Sequence, residues 1–163
     1  MNRNEIVKGG FELLQDNWAL VSVGNKKKHN AMTIAWGAFG ALWKIPVAII
    51  FIKKDRYSLE LLDENKYFTL SFFSEKYKKD LIYLGTHSGR NEDKIGKTSL
   101  TPIFYEDYFE YEEAEDSYLC EKLFSQDLDK EMVPEEIYNT YYHNMETHRM
   151  YIARINTKEK KIP

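Results

Sequence analysis

The chain has 163 residues, a formal charge of −3, 43% hydrophobic and 15% aromatic residues. That length suits one ordinary domain with a real core, here taken as a single domain over residues 1–163. The mild acidity lacks the basic footprint that nucleic acid requires, and the lone Cys120 excludes an internal disulfide and fits a reducing compartment.

Met1 to Asp16 is a polar lead-in with Phe11, Leu13 and Leu14 as anchors. It lacks the uninterrupted apolar segment of a signal peptide, so the expected location is the cytoplasm. Trp18 to Val23 reads as a strand, Gly24 to Asn30 as a lysine-rich turn, and Met32 to Trp36 as the second strand. Lys26, Lys27 and Lys28 form a short solvated loop in this reading.

The stretch from Asn30 to Trp43 is the least polar part of a lysine- and glutamate-rich chain. Ala31, Ala35, Gly37, Ala38, Gly40 and Ala41 allow another surface to approach the backbone. Trp36, Phe39 and Trp43 supply flat walls, and Asn30 and Thr33 supply polar atoms at the entrance. Two readings fit: an ordinary buried strand, or a slot for a planar ligand lying against main chain. A membrane span from Ala31 to Ile52 is disfavoured, because Lys44 would sit near mid-bilayer at a cost of about 2.5–3.5 kcal/mol. Pro46 interrupts the same run, and two strands joined at Lys44 to Pro46 explain it better.

Val47 to Ile52 is a continuous β-favouring run expected to be buried on both faces. Ser58 is placed to cap a helix through Asn65, with Leu59, Leu61 and Leu62 inward. Tyr67 to Phe72 alternates as a strand. Ser74 is placed to cap a second helix whose Tyr77, Leu81 and Leu84 share one face, with Gly85 ending it. Thr86 to Lys97 is a polar loop, or a loop that opens a short helix. Pro102 to Tyr111 and Tyr118 to Phe124 read as strands separated by the acidic turn Glu112 to Asp116. Pro134 at a first helical position starts a third helix carrying Ile137 and Tyr141. Met150 to Ile155 is a last strand, and Thr157 to Pro163 a charged tail. The sum is a mainly β protein with short helices: six or seven strands in a small barrel.

No dinucleotide fingerprint, P-loop, zinc-protease motif or nucleophile elbow occurs. His29, His87, His143 and His148 lack metal-ligand spacing, so no metal is expected. Cys120 sits in an apolar strand and reads as an inert core thiol. Anion chemistry remains. Ser88, Gly89, Arg90 and Lys94 gather a hydroxyl, free main-chain amides, a guanidinium and an ammonium in one irregular loop suited to a phosphate. An ordinary polar loop with an Arg90–Asp93 pair fits the same residues. Arg56 is either a second phosphate ligand or a solvated surface arginine.

Taken in order, several segments resemble the flavin reductase-like, FMN-binding split-barrel family, which includes flavoredoxin and NAD(P)H:flavin oxidoreductases. They are Asn30 to Gly37, Pro46-Val47, Arg56-Tyr57-Ser58, Tyr67 to Ser71, the loop Leu84 to Lys94, and His148 to Ile152. The similarity covers roughly residues 10–155, and the loop is its most specific part. The resemblance implies a split β-barrel that binds FMN as a homodimer, with NAD(P)H as transient donor or a redox protein as partner. It implies that Asn30, Met32, Thr33 and Ala35 edge the isoalloxazine with Trp36 packed beside it. It further implies that Arg56, Ser88, Arg90 and Lys94 surround the phosphate and that His148 lies near the flavin or nicotinamide. In such a protein the flavin supplies the redox chemistry, and the chain supplies a slot, positive charge and orientation. The expected activity is electron transfer from NAD(P)H through FMN to free flavin, ferric iron or a protein. The alternatives are a flavoredoxin-like carrier with little NAD(P)H activity, or a non-catalytic flavin-binding barrel. Two segments depart from the resemblance: Lys26 to His29 is unusually basic for a turn beside a flavin, and the acidic, tyrosine-rich Tyr105 to Tyr118 matches none of its motifs.

Overall fold

The computed structural model describes residues 12–156. Phe11 and the charged tail Thr157 to Pro163 lie outside that range. Leu14 anchors the helical turn Glu12–Asp16 in the core, and Leu13 packs beside it.

Nine strands form among the described residues, more than the expected six or seven. They are β1 (Ala19–Gly24), β2 (His29–Ile34), β3 (Gly37–Leu42), β4 (Ile45–Lys53), β5 (Tyr67–Phe72), β6 (Pro102–Phe104), β7 (Phe109–Tyr111), β8 (Asp116–Asp127) and β9 (His148–Asn156). Seven build one antiparallel sheet in the order β2-β1-β5-β8-β9-β4-β3, and β6 and β7 pair as a separate hairpin. Three short helices are α1 (Tyr57–Glu64), α2 (Lys78–Thr86) and α3 (Glu135–Tyr141). The mainly β expectation is met.

The inward residues of the sheet meet in one cluster. Val21, Val23, Met32, Ile50, Ile52, Phe68, Leu70, Cys120 and Tyr151 all belong to it, joined by Leu59, Leu61 and Leu62 of α1. Only a sheet curled on itself brings β2 and β9 into one core. A second cluster lies outside the curl, where Leu81 and Leu84 of α2 and Phe109 and Tyr111 of β7 cover Leu20 and Ala31.

Several local expectations shift by a few residues. Strand β2 begins at His29 and ends at Ile34, so Trp36 lies in the link to β3 rather than in a strand. Asn25 explains the early start. Its Oδ1 accepts from the Lys27 and Lys28 amides at 3.0 and 3.4 Å, closing the basic turn tightly. Strands β3 and β4 join at Trp43 and Lys44, whose φ values of 54° and 60° make the hairpin turn one residue before the expected joint. Strand β4 is not buried on both faces: Ala48, Ile50 and Ile52 are buried, whereas Ile49 and Phe51 are half-covered.

The caps also differ. Arg56, not Ser58, occupies the N-cap of α1, and Ser58 turns into the core. Ser74 precedes a single 3-10 turn, so α2 starts only at Lys78. Gly85 does not end α2, which continues to Thr86. A Cβ there would come within 3.2 Å of the Thr33 Cβ, so glycine lets the helix lie close on β2. Pro134 is the N-cap of α3 rather than its first residue. Pro102 to Tyr111 folds back on itself because Tyr105 and Tyr108 close a turn, the Tyr105 amide donating to the Tyr108 carbonyl at 2.9 Å.

Candidate functional site

Two cavities of about 230 Å3 each share Met32 and Arg56 and together make a trough along the β2 edge. One end is lined by Asn30, Arg56, Tyr57, Ser58, Ser88, Gly89 and Lys94. The other is lined by Met32, Thr33, Ala35, Trp36, Phe51, Lys53 and His148. Of the ten residues singled out in the sequence, nine line this trough.

The first end is polar because loop and helix converge on it. Strand β4 leaves the sheet at Lys53, the Arg56 amide donates to the Lys53 carbonyl at 3.1 Å, and this corner places Arg56 over the trough. Its Nε is buried and has no hydrogen-bond partner among the described residues. A buried donor left unmade costs about 1–3 kcal/mol unless a ligand satisfies it. Lys94 is 3% exposed, and its Nζ donates to the Leu84 and His87 carbonyls at 2.7 and 2.9 Å. Burial, and then the Arg56 charge, lower its pKa to about 8, with Glu92 opposing. Two of its three N–H groups are thus held by main chain, and the ammonium also serves as a post under the loop.

Asn30 connects the two walls. It is buried, and its Nδ2 donates to Ser58 Oγ at 3.0 Å. On the other side a Cβ at Gly89 would fall 2.1 Å from Asn30 Oδ1, so only glycine permits the loop to approach this closely. Ser88 Oγ accepts the Arg90 amide at 3.2 Å.

Arg90 is the residue that does not line the trough. It is half-exposed, its Nη2 donates to Glu60 at 2.5 Å, and its guanidinium lies 5.2 Å from the Tyr57 ring centre. The alternative Arg90–Asp93 pair is absent as well, because Asp93 accepts from the Gly96 amide. Glu60, one turn into α1, is the nearer carboxylate, a proximity set by tertiary packing.

The second end is aromatic. His148 opens β9 opposite Lys53 of β4 and is 5% exposed. Its ring centre is 5.0 Å from that of Trp36, and its Nδ1 shares a hydrogen bond of 3.1 Å with the Tyr142 hydroxyl. Burial, and then the positive charge of Lys53, push its pKa down to about 4, against a smaller pull from Asp55. The imidazole is therefore neutral at pH 7. Trp36 is 40% exposed and meets Tyr141 of α3 edge-on at 5.5 Å. Thr33 lines the wall, but its hydroxyl donates to the Leu81 carbonyl at 2.5 Å, so it ties α2 to β2 rather than offering a free donor.

Gly89, expected to free main-chain amides in the anion loop, lines the polar end. Tyr57, Phe51 and Lys53 line the trough without having been expected there, although Tyr57 lies inside a segment carrying the resemblance. Tyr142, which holds His148, carries no sequence signal. Cys120 is fully buried, with its thiol pushed up to about 12 by desolvation, in keeping with an inert core thiol. Among the described residues, no group of three or more His, Cys, Asp or Glu side chains is arranged to hold a metal ion. Nor is any helix there long and apolar enough to cross a membrane.

Residues 13–156 match the model of the flavin reductase like domain. The chain belongs to that family. The flavin reductase-like fold is shared by solved structures of low identity. An FMN-binding protein from Thermus thermophilus with bound p-hydroxybenzaldehyde superposes with a TM-score of 0.68 at 20% identity, over 86% of this chain and 69% of that one. A flavoredoxin from Methanosarcina acetivorans gives 0.67 at 18% identity, over 90% and 71%. The styrene monooxygenase flavin reductase of Pseudomonas putida S12 gives 0.63 at 17% identity, over 90% and 81%. A search among curated proteins found no match. The curled seven-stranded sheet is thus a split barrel of the flavin reductase-like type, and the family membership supports a flavin-related redox function.

Proposed function

We propose that this flavin reductase-like chain binds FMN in the trough and passes electrons from NAD(P)H to free flavin, ferric iron or a protein partner. One observation carries the reading: a buried, unpartnered Arg56 Nε at one end of a trough whose other end is walled by Trp36, Phe51 and a neutral His148. That polarity matches a molecule with an anionic tail and a flat ring. Arg56 would hold the phosphate with Lys94 as a neighbouring charge and Ser88 at the rim. Met32, Ala35 and Trp36 would flank the ring, Asn30 would lie between ring and tail, and Thr33 would shape the wall.

When bound, the flavin supplies hydride and single-electron chemistry that no side chain of this protein offers. The residues bind, orient and exclude water. His148, neutral and held by Tyr142, can give or take a hydrogen bond without bringing a charge to the ring end. NAD(P)H then needs only to stack transiently on the exposed ring face, which agrees with a chain lacking a dinucleotide fingerprint. We also propose a homodimer built on β3, where Ala38, Gly40 and Ala41 are exposed and Trp43 is 60% exposed. The one buried thiol supports a cytoplasmic setting.

The test is a paired titration with FMN and riboflavin. Arg56→Ala should weaken FMN by about ten- to a hundredfold, the worth of one hydrogen bond to a charged group, and leave riboflavin nearly unchanged. Arg90→Ala should cost FMN less, because its guanidinium must first leave Glu60. Equal losses for both flavins with Arg56→Ala would remove the phosphate assignment. Absence of NADH and NADPH oxidation by a protein that binds FMN would reduce the role to that of an electron carrier.

A further inference from the structure

Two neighbouring tyrosines hold the ring end of the trough from outside the barrel. Helix α3 buries none of its own residues, yet Tyr142, which caps its C-terminus, is only 5% exposed. Tyr141 meets Trp36 edge-on, and Tyr142 meets His148 with ring centres 5.5 Å apart and planes at 67°. The return into β9 fixes this pair. His143 and Asn144 adopt φ values of 42° and 66°, so the chain reverses directly after α3. The Met145 amide donates to the Tyr142 carbonyl at 2.6 Å, and the Tyr138 hydroxyl donates to the Met145 carbonyl at 3.2 Å. The Leu128 amide donates to the His148 carbonyl at 2.9 Å. Both side chains therefore leave a backbone that is itself held.

The direction of the hydrogen bond between them follows from the phenol oxygen, which lies 3.1 Å from His148 Nδ1. Burial raises the Tyr142 pKa, against a smaller lowering by the His148 main-chain amide. The hydroxyl thus keeps its proton at pH 7, and that amide is directed at its oxygen. An oxygen that takes an amide hydrogen turns its own hydrogen elsewhere, and Nδ1 is the acceptor in reach. The neutral imidazole then carries its single proton on Nε2. Nε2 has no hydrogen-bond partner among the described residues. Unlike Arg56 Nε it is not sealed off, so it opens into the trough that His148 lines.

Resting on the flavin reading, we propose that Tyr142 is a positioning residue that holds His148 as the Nε2–H tautomer, giving the ring end one fixed hydrogen-bond donor. The group this donor meets is a carbonyl-type oxygen, carried either by the flavin ring or by the nicotinamide carboxamide. Without the phenol oxygen the proton is free to move to Nδ1. The same ring then offers a lone pair to the trough, which repels such an oxygen. Tyr142 touches neither ligand in this arrangement and acts only through His148.

Long-range proton–nitrogen NMR spectra of the flavin-free full chain at pH 7 read the tautomer directly, with the His148 signals identified by their loss in His148→Gln. Wild type should show a protonated Nε2 and a bare Nδ1. Tyr142→Phe keeps the ring and should shift the tautomer ratio about two- to tenfold towards Nδ1–H, the worth of one hydrogen bond. A protonated Nδ1 in the wild type overturns the proposal, whether or not the variant folds. So does a ratio that Tyr142→Phe leaves unchanged while the melting temperature falls, since Tyr142 would then only pack. Kinetics of the same variant locate the accepting oxygen. A KM for NADH raised about two- to tenfold at unchanged FMN affinity supports the carboxamide, and equal losses for FMN and riboflavin support the flavin ring. A tautomer shift that moves none of these constants overturns the positioning role. If wild type binds no flavin, the flavin reading fails, while the spectra still decide whether Tyr142 sets the tautomer.

Discussion

At one end of the trough the chain buries the Lys94 ammonium and the Arg56 Nε. At the other it buries an uncharged imidazole and leaves Trp36 partly in solvent. The first arrangement is unfavourable until an anion arrives, because a buried cation without a counter-charge destabilises the empty fold. The depressed Lys94 and the unpartnered Arg56 nitrogen are the record of that cost. The second arrangement carries no such debt of charge: a neutral His148 held by Tyr142 can lie against an apolar ring without a counter-ion. Specificity for an anionic tail is thus built into the polar end. The ring end is suited to a flat molecule that must stay open on one face.

This contrast can be broken most sharply at Gly89. A methyl group there would meet Asn30 Oδ1, whose own side chain is fixed by Ser58, so the loop must move away. Gly89→Ala should weaken FMN on the order of a hundredfold, equivalent to one or two charge-assisted hydrogen bonds, while riboflavin loses much less. Isothermal titration with both flavins would measure it. An equal loss would mean that the loop supports the whole trough and not its phosphate end.

The ring end should reveal itself in acid. His148 titrates near 6.5 when unfolded and near 4 in the fold, so the unfolded chain takes up the proton first. The stability gained by keeping it neutral is full above pH 6.5 and is lost as pH falls towards 4. Urea unfolding at pH 7 and pH 4.5 should show a loss on the order of 2 kcal/mol from this group, and His148→Gln should lack that share. A variant with the same acid sensitivity as wild type would remove His148 as its source.

The smallest effect concerns Lys94. Its pKa of about 8 in the empty protein should rise when a phosphate binds, so binding takes up a proton. FMN affinity should be steady below pH 8 and fall by up to about tenfold per pH unit above it, with riboflavin affinity flat between pH 7 and 9. Lys94→Met should remove the slope. A slope that persists in the variant, or that riboflavin shares, would assign the titration to another group.

Much of the fold was legible in the residues. Tyr67 to Phe72 alternates apolar and polar side chains, and it is β5 to the residue. The inward leucines of α1 and the Leu81/Leu84 face of α2 follow helical spacing, and all are buried. Strand-forming residues and helical periods are local properties, so short windows reveal them. The cap of α1 differs from the local expectation because the Ser58 hydroxyl meets a partner elsewhere in the chain. Ser58 is turned to Asn30, 28 positions away.

The site divides in the same way. The sequence by itself determined which residue types were available: small residues and aromatics from Asn30 to Trp43, a glycine-containing cationic loop from Ser88 to Lys94, and Arg56 after an apolar strand. Only the tertiary structure decided their tasks. It set Lys94 under the loop on two carbonyls, drew Arg90 away to Glu60, left Arg56 Nε without a partner, and brought His148 against Trp36. Charge state and hydrogen-bond partner depend on which distant groups share a few ångströms and how much water they exclude, and no window of sequence contains that distance.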